Sequence, residues 1–187
     1  MMQLVGEHGV AAITILLYGQ FLFNAFYLGF TIGISPIVGF QYGAGDKQKL
    51  RNIYHTSFLF VAVSSVFMAV IAIVLSPTIV TIFTDDPATY ELAAAGFRLF
   101  AINFLFSGIS ITSSGFFTAL SNGTISAVIS FCRTLGFIVL SLLILPKFLG
   151  ITGAWIAIPV AEFCTLLVTG VMHFVYFWKP GIRNYLR

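Results

Sequence analysis

The chain has 187 residues, of which 59% are hydrophobic and only 8% charged, and its formal net charge is +3. A soluble domain carries about 25% charged residues, so this chain could not cover a water-facing surface and reads as an integral, multi-pass membrane protein. The small and scattered positive charge argues for no nucleic-acid partner; it suits orientation in a lipid bilayer and contact with anionic headgroups.

Five apolar runs follow one another, over roughly residues 10–39, 56–83, 92–120, 124–145 and 153–178. Each reaches the ~20 residues that a helix needs to cross ~30 Å of hydrocarbon. The expectation is an all-α protein of five transmembrane helices, neighbours antiparallel because the connections are short.

The first run carries Tyr18, Gln20, Asn24 and Tyr27. Gln20, Asn24 and Tyr27 are candidates for lining a central cavity, with interhelical hydrogen bonding the alternative role. Gly29 and Gly33, spaced to let another helix approach, are candidate packing positions. The run closes in SPIVGFQYGAGDKQKL, residues 35–50. There Pro36 and the glycines are expected to end the helix, and Lys47, Lys49 and Arg51 to anchor its exit at the headgroups. A phosphate-cradling loop needs G-x-x-x-x-G-K-[ST] after a strand; here Gly45 is followed by Asp46 and no strand precedes. Asp46 can cap a short helix with apolar Leu50, Ile53 and Tyr54, expected to lie along the interface before the second span.

Asp86-Pro87 reads as an N-cap followed by proline at the first helical position. The third run then carries Asn103, another cavity candidate, with Ser107, Ser110, Thr112, Ser113 and Ser114; the serines are expected to hydrogen-bond between helices. Asn122-Gly123 and Leu149-Gly150 supply the turn chemistry for two tight connections. Cys132 and Cys164 fall inside apolar runs and read as small fillers.

Ionisable groups inside a lipid span are costly and mark candidate sites. Glu162 is the only carboxylate deep within any run, about 15 Å from its outer end. Arg133 in the preceding, antiparallel run lies at nearly the same depth. Two roles follow for this pair: a buried lock between helices, or a coupling-ion site for a proton or sodium. Pro159 removes one helical hydrogen bond a turn away from Glu162, as a kink or as an interrupted helix beside a site. His8, His55 and His173 are scattered at or near helix ends without metal-ligand spacing and are expected to be interface residues; neither H-E-x-x-H nor G-x-S-x-G occurs. Neither an enzyme nor a metal or organic cofactor is expected.

Lys47, Lys49 and Arg51 fall on the same side of the membrane as Lys179, Arg183 and Arg187, whereas Glu7, Asp85, Asp86 and Glu91 fall opposite. The bias places the C-terminus in the cytoplasm and the N-terminus outside. An outside N-terminus on a nine-residue tail suggests that an upstream part is missing.

Several stretches together carry a family resemblance. GFTIGISPIVGFQYGAG resembles the end of the eighth helix of the multidrug and toxic compound extrusion (MATE) transporters. TIFTDDPATYELAAAGFRLFAI is similar to the start of their tenth helix. SGFFTALSNGTISAVISFCRTLGFIVLSLLILPKFLGITGAW resembles the tenth-to-eleventh connection and the eleventh helix, and AWIAIPVAEF the start of the twelfth. The resemblance implies that residues 1–187 form a partial C-lobe, helices 8–12 of a twelve-helix fold, without the N-lobe and seventh helix. It also implies efflux of small organic, often cationic, compounds across the cell (inner) membrane, exchanged for H+ or Na+. Some relatives place cation-binding carboxylates in the seventh, eighth or tenth helix; the two runs corresponding to the eighth and tenth have none. Two alternatives remain open: a non-transporting fragment or subunit needing a separate N-lobe, and a lipid-linked polysaccharide flippase of the same fold.

Overall fold

A computed structural model describes residues 2–178. Lys179, Arg183 and Arg187, on which part of the orientation argument rests, lie outside the described residues. Among the described residues every regular element is helical: α1 (Met2–Gly43), α2 (Lys47–Phe83), α3 (Pro87–Phe100), α4 (Phe104–Ala119), α5 (Gly123–Phe131) and α6 (Phe137–Trp178). A 3-10 turn, Ala101–Asn103, joins α3 to α4, and a π turn, Cys132–Gly136, joins α5 to α6.

Two boundary expectations are corrected. Pro36 does not end α1 but lies inside it, and the helix continues to Gly43. In the same turn the Ser35 hydroxyl donates to the Thr31 carbonyl at 2.7 Å, the kind of side-chain bonding that lets a membrane helix carry a proline. The chain reverses only at Gly45, whose φ of +69° suits a residue without a Cβ. Nor is there a separate interfacial helix after it. Asp46 caps α2 by accepting from the Lys49 amide at 3.0 Å, and α2 then runs unbroken. Its buried positions Leu50, Ser57, Val61, Ser65, Ala69, Ala72, Ser76 and Val80 form one stripe at helical spacing, so nothing separates the first turns from the span.

The α3 cap matches its sequence signature: Asp86 accepts from the Thr89 amide at 2.9 Å with Pro87 in the first turn. The carboxylate is held below its ordinary pKa, first by the Thr89 hydroxyl, then by the Thr89 amide and more weakly by His8. His8 Nδ1 reaches Asp86 at 2.9 Å, joining the start of α1 to the start of α3.

α1 runs parallel to α3 and α4 in a fixed register. His8 meets Thr89 at 3.0 Å and Thr31 donates to Thr112 at 3.3 Å, each pair 81 residues apart. Between them the Phe23 and Phe104 rings lie 4.6 Å apart, and Tyr27 lies over Gly108. A constant offset over three turns or more requires two parallel helices of equal rise. Phe97, Phe100 and Phe104 form the centre of the larger core with Leu16, Phe23 and Trp155. A second core gathers Val38, Leu50, Phe116, Phe117 and Tyr176 at the other end.

Four helical stretches are long and apolar enough to cross a membrane: Gly6–Gly43, Lys47–Phe83, Pro87–Ala119 and Gly123–Tyr176. The last, at 54 residues, is a hairpin. Gly150 takes φ 58°, ψ −134° inside it, and Arg133 touches Glu162 across 29 residues of chain. In a continuous helix those residues would stand ~43 Å apart, so the chain must double back at Gly150. Each arm is about 26 residues, roughly 39 Å. The expected five crossings are thus four continuous helical stretches, one of them folded in two. The outer surface suits lipid: Ile32, Phe40 and Ile82 are each more than 70% exposed.

Candidate functional site

The charged pair sits where the hairpin arms face each other. Arg133 lies in the π turn, a one-residue bulge that shifts the side chains around it and is common at functional sites. Its Nε donates to Glu162 Oε1 at 3.1 Å, with the Arg133 side chain 18% exposed and that of Glu162 1%. Glu162 follows the buried Pro159 in the second arm.

Both members of the pair line a cavity of about 320 Å³ whose opposite wall is α1. Leu17, Gln20, Phe21, Asn24 and Leu28 supply that wall; their spacing puts them on one helical face. Two oxygens there make no hydrogen bond among the described residues: Asn24 Oδ1 on α1 and Glu162 Oε2 on α6. Buried polar atoms are rarely left so. A cavity with an amide and half a carboxylate unsatisfied can take a water, a proton carrier or a hydrogen-bond donor such as an ammonium group.

The other sequence candidates fall elsewhere. Tyr27 and Asn103 do not line this cavity; both are fully buried in the core. The α1–α4 register puts the Tyr27 ring against Gly108, and Asn103 Nδ2 donates to the Phe100 carbonyl at 2.6 Å beside the 3-10 turn. Among the described residues Gly29 and Gly33 receive no neighbouring helix: a Cβ at either would meet nothing within 4 Å. Close approaches between helices are made at Gly19, under the Phe97 ring, at Gly96, under the Trp155 ring, and at Gly108 and Gly115, under Tyr27 and Thr31. Pro36 is exposed to the outside of α1. Cys132 and Cys164 are free thiols.

Sequence reasoning missed the polar cluster at His173 and, for the interhelical serine cluster it expected at Ser114, the partners. His173 is not an interface residue but bonds Tyr54 OH at 3.2 Å and Ser113 Oγ at 3.0 Å, tying α6 to α2 and α4. Phe58 and Phe117 enclose its ring. Ser114 Oγ meets Ser126 Oγ at 2.9 Å and Ser130 Oγ at 2.8 Å, stitching α4 to α5. The i, i+4 spacing of Ser126 and Ser130 was the available signal for the second; nothing local marked the first.

Apolar helices around a half-satisfied ion pair and a polar cavity define a multi-pass helical membrane protein with a mid-depth site. The chain belongs to the MatE family, whose model matches residues 1–143. Multidrug and toxin extrusion protein 1 of Homo sapiens is 28% identical over 143 residues, covering 74% of this chain and 24% of the relative. The protein of the same description from Mus musculus is 24% identical over 141 residues, covering 73% and 24%. A solved multidrug resistance MATE transporter, of the MOP superfamily and outward-facing, superposes with a TM-score of 0.85 at 20% identity. That match covers 93% of this chain and 40% of the solved one. The chain therefore spans about a quarter of the length of the curated relatives it matches. Arg133 falls within the family match and Glu162 beyond it.

Proposed function

We propose that this chain forms part of a MATE-type antiporter that exports small organic, often cationic, compounds across the cell (inner) membrane. The exchange ion is H+ in this reading, carried by Glu162. The observation that supports it is the Arg133–Glu162 pair at the wall of a cavity shared with Gln20 and Asn24. With Glu162 ionised the pair is neutral and the cavity admits a cation. Protonation of Glu162 leaves Arg133 uncompensated, and its charge expels a cationic occupant. Alternate occupancy by proton and substrate is the minimal requirement of exchange. A flippase for anionic lipid-linked polysaccharide would want several free cations in the cavity; this one has Arg133, already paired.

A second reading, that the chain works only beside a separate N-lobe, is supported by its open α1 face. Gln20 and Asn24 face the cavity there, and Phe21 on the same wall is 72% exposed. The test is accumulation of a cationic dye in cells expressing the chain alone or together with an N-lobe from a relative. Protonophore-sensitive exclusion that Glu162→Gln abolishes supports the antiporter. Exclusion that needs the N-lobe selects the second reading, and no exclusion in either case overturns both.

A further inference from the structure

The hydroxyls of Thr118, Ser126, Ser114 and Ser130, between α4 and α5, form one unbroken chain of hydrogen bonds. Thr118 Oγ1 donates to Ser126 Oγ at 2.7 Å, Ser126 Oγ meets Ser114 Oγ at 2.9 Å, and Ser114 Oγ meets Ser130 Oγ at 2.8 Å. In the last two bonds either oxygen can donate, so that part of the chain can point either way. Its two ends open on different surroundings. Thr118 is exposed in the last turn of α4. Leu120, two residues on, shares a core with Leu50, so this end lies on the side of the α1–α2 turn, the cytoplasmic side by the charge bias. Ser130 is half-buried and stands one helical turn before Thr134. The Thr134 hydroxyl donates to the Ser130 carbonyl at 2.7 Å, and Thr134 lines the cavity of Arg133 and Glu162. Bonds that only lock two helices contribute little each and have no need to run end to end from an exposed surface to a charged cavity.

We propose that this chain of hydroxyls is the route by which a proton passes between Glu162 and the cytoplasm, which rests on the reading of Glu162 as the proton carrier. Ser130 and Thr134 stand about 6 Å apart as i, i+4 neighbours, the span of one cavity water with a hydrogen bond of ~2.8 Å on either side. On release the Glu162 O–H bond breaks and the cavity water hands the proton to Ser130 Oγ. Each hydroxyl takes a proton on its oxygen and gives its own to the next, Ser130 to Ser114, Ser114 to Ser126 and Ser126 to Thr118. Thr118 has an alternative acceptor in the Ser114 carbonyl at 3.1 Å, so its oxygen is free to receive from Ser126, and it gives a proton to water at the surface. No atom or charge stays on the hydroxyls, and rotation about their Cβ–O bonds resets them. The carboxylate left behind faces Arg133 Nε. Arg133 and Glu162 are the ionisable groups among the cavity residues; the α1 wall adds the uncharged Gln20 and Asn24. Oxygens 2.7–2.9 Å apart leave no room for a metal ion between them, whereas a proton moves along the bond itself.

The test follows the Glu162 carboxyl by time-resolved infrared difference spectroscopy on the purified full chain in lipid nanodiscs after a pH jump, with Glu162→Gln to assign its band. Ser114→Ala should slow proton exchange at Glu162 about tenfold or more and leave the pH of half-protonation where it was. Thr118→Val, which keeps the shape of an exposed side chain, should slow it likewise. Ser114→Thr, which keeps the hydroxyl, should restore the parent rate. Parent rates in both Ser114→Ala and Thr118→Val overturn the route and leave Glu162 as the carrier. Slowing that Ser114→Thr does not relieve is a packing effect and also overturns the route. A Glu162 band that does not titrate overturns the carrier reading and the route with it. Slowed exchange in a chain that excludes no dye, alone or with an N-lobe, upholds the route and counts against the antiporter.

Discussion

Arg133 Nε and Glu162 Oε1 meet at 3.1 Å from opposite arms of one hairpin. The pair is nearly buried, so its members cannot be removed symmetrically. Arg133→Ala strands a carboxylate that is 1% exposed and should cost about 3–5 kcal/mol of stability. Glu162→Gln keeps the shape and a hydrogen bond and should cost less. Replacing both, Arg133→Met with Glu162→Leu, should restore stability to near the parent yet abolish protonophore-sensitive dye exclusion in cells where the parent shows it. Denaturation in detergent for all three, set beside transport, separates lock from coupling site. If the apolar double variant still transports, the pair is only a lock.

Glycines split by what lies above them. At Gly108 a Cβ would sit 2.6 Å from Tyr27 Cε1, and that ring is fully buried and cannot swing away. Gly108→Ala should therefore destabilise by about 1–3 kcal/mol through overpacking. Gly33→Ala, with nothing within 4 Å, should instead stabilise α1 by about 0.5–1 kcal/mol through its helix preference. Thermal melting of the two variants in one detergent should shift in opposite directions; a loss at Gly33 would mean that a partner helix covers it.

The contrast shows what the sequence could carry. G-x-x-x-G spacing says that two glycines share a face but not which face has a neighbour, so it marks Gly29 and Gly33 while the close approaches within the described residues fall at Gly19, Gly96, Gly108 and Gly115. Asp86-Pro87 and the rare charges Arg133 and Glu162 were legible because each is locally conspicuous in an apolar chain. The π turn at Cys132–Gly136 and the burial of Tyr27 were not, since both follow from how α1, α4 and the hairpin fit together. Pro36 misled because the rule that proline stops a helix belongs to water, whereas Ser35 bonds back to Thr31 in the same turn. The unbroken α2 was hidden by Lys47, Lys49 and Arg51, whose charges resemble an interfacial helix although the buried stripe runs on beneath them.

The hydroxyl cluster predicts a small and non-additive cost. Ser114 bonds both Ser126 and Ser130, and Thr118 donates to Ser126 at 2.7 Å. Interhelical hydrogen bonds in membranes average ~0.6 kcal/mol. Ser114→Ala should then cost about 1 kcal/mol, and adding Ser130→Ala should cost little more because their shared bond is already gone. A double-mutant cycle on unfolding in detergent checks this; independent, fully additive losses would show that the two hydroxyls do not interact.

The Asp86 cap gives an acid-side prediction outside the membrane. Its carboxylate is held below the ordinary range by the Thr89 hydroxyl and amide, so the folded state binds its proton less readily than the unfolded chain does. The resulting stabilisation is present in full above the unfolded carboxylate pKa of about 4. It is lost as pH falls through the lower folded value. Amide exchange over residues 88–91, corrected for its intrinsic pH dependence, should rise in that acid window, reporting fraying of the first turn of α3. Asp86→Ala should show the faster exchange at every pH and lose this extra acid step. The His8 contact at 2.9 Å contributes less to the depression than Thr89 does, so His8→Ala should leave most of the acid step in place. If His8→Ala removed it instead, the cap would be held from α1 across the bundle rather than from within its own turn.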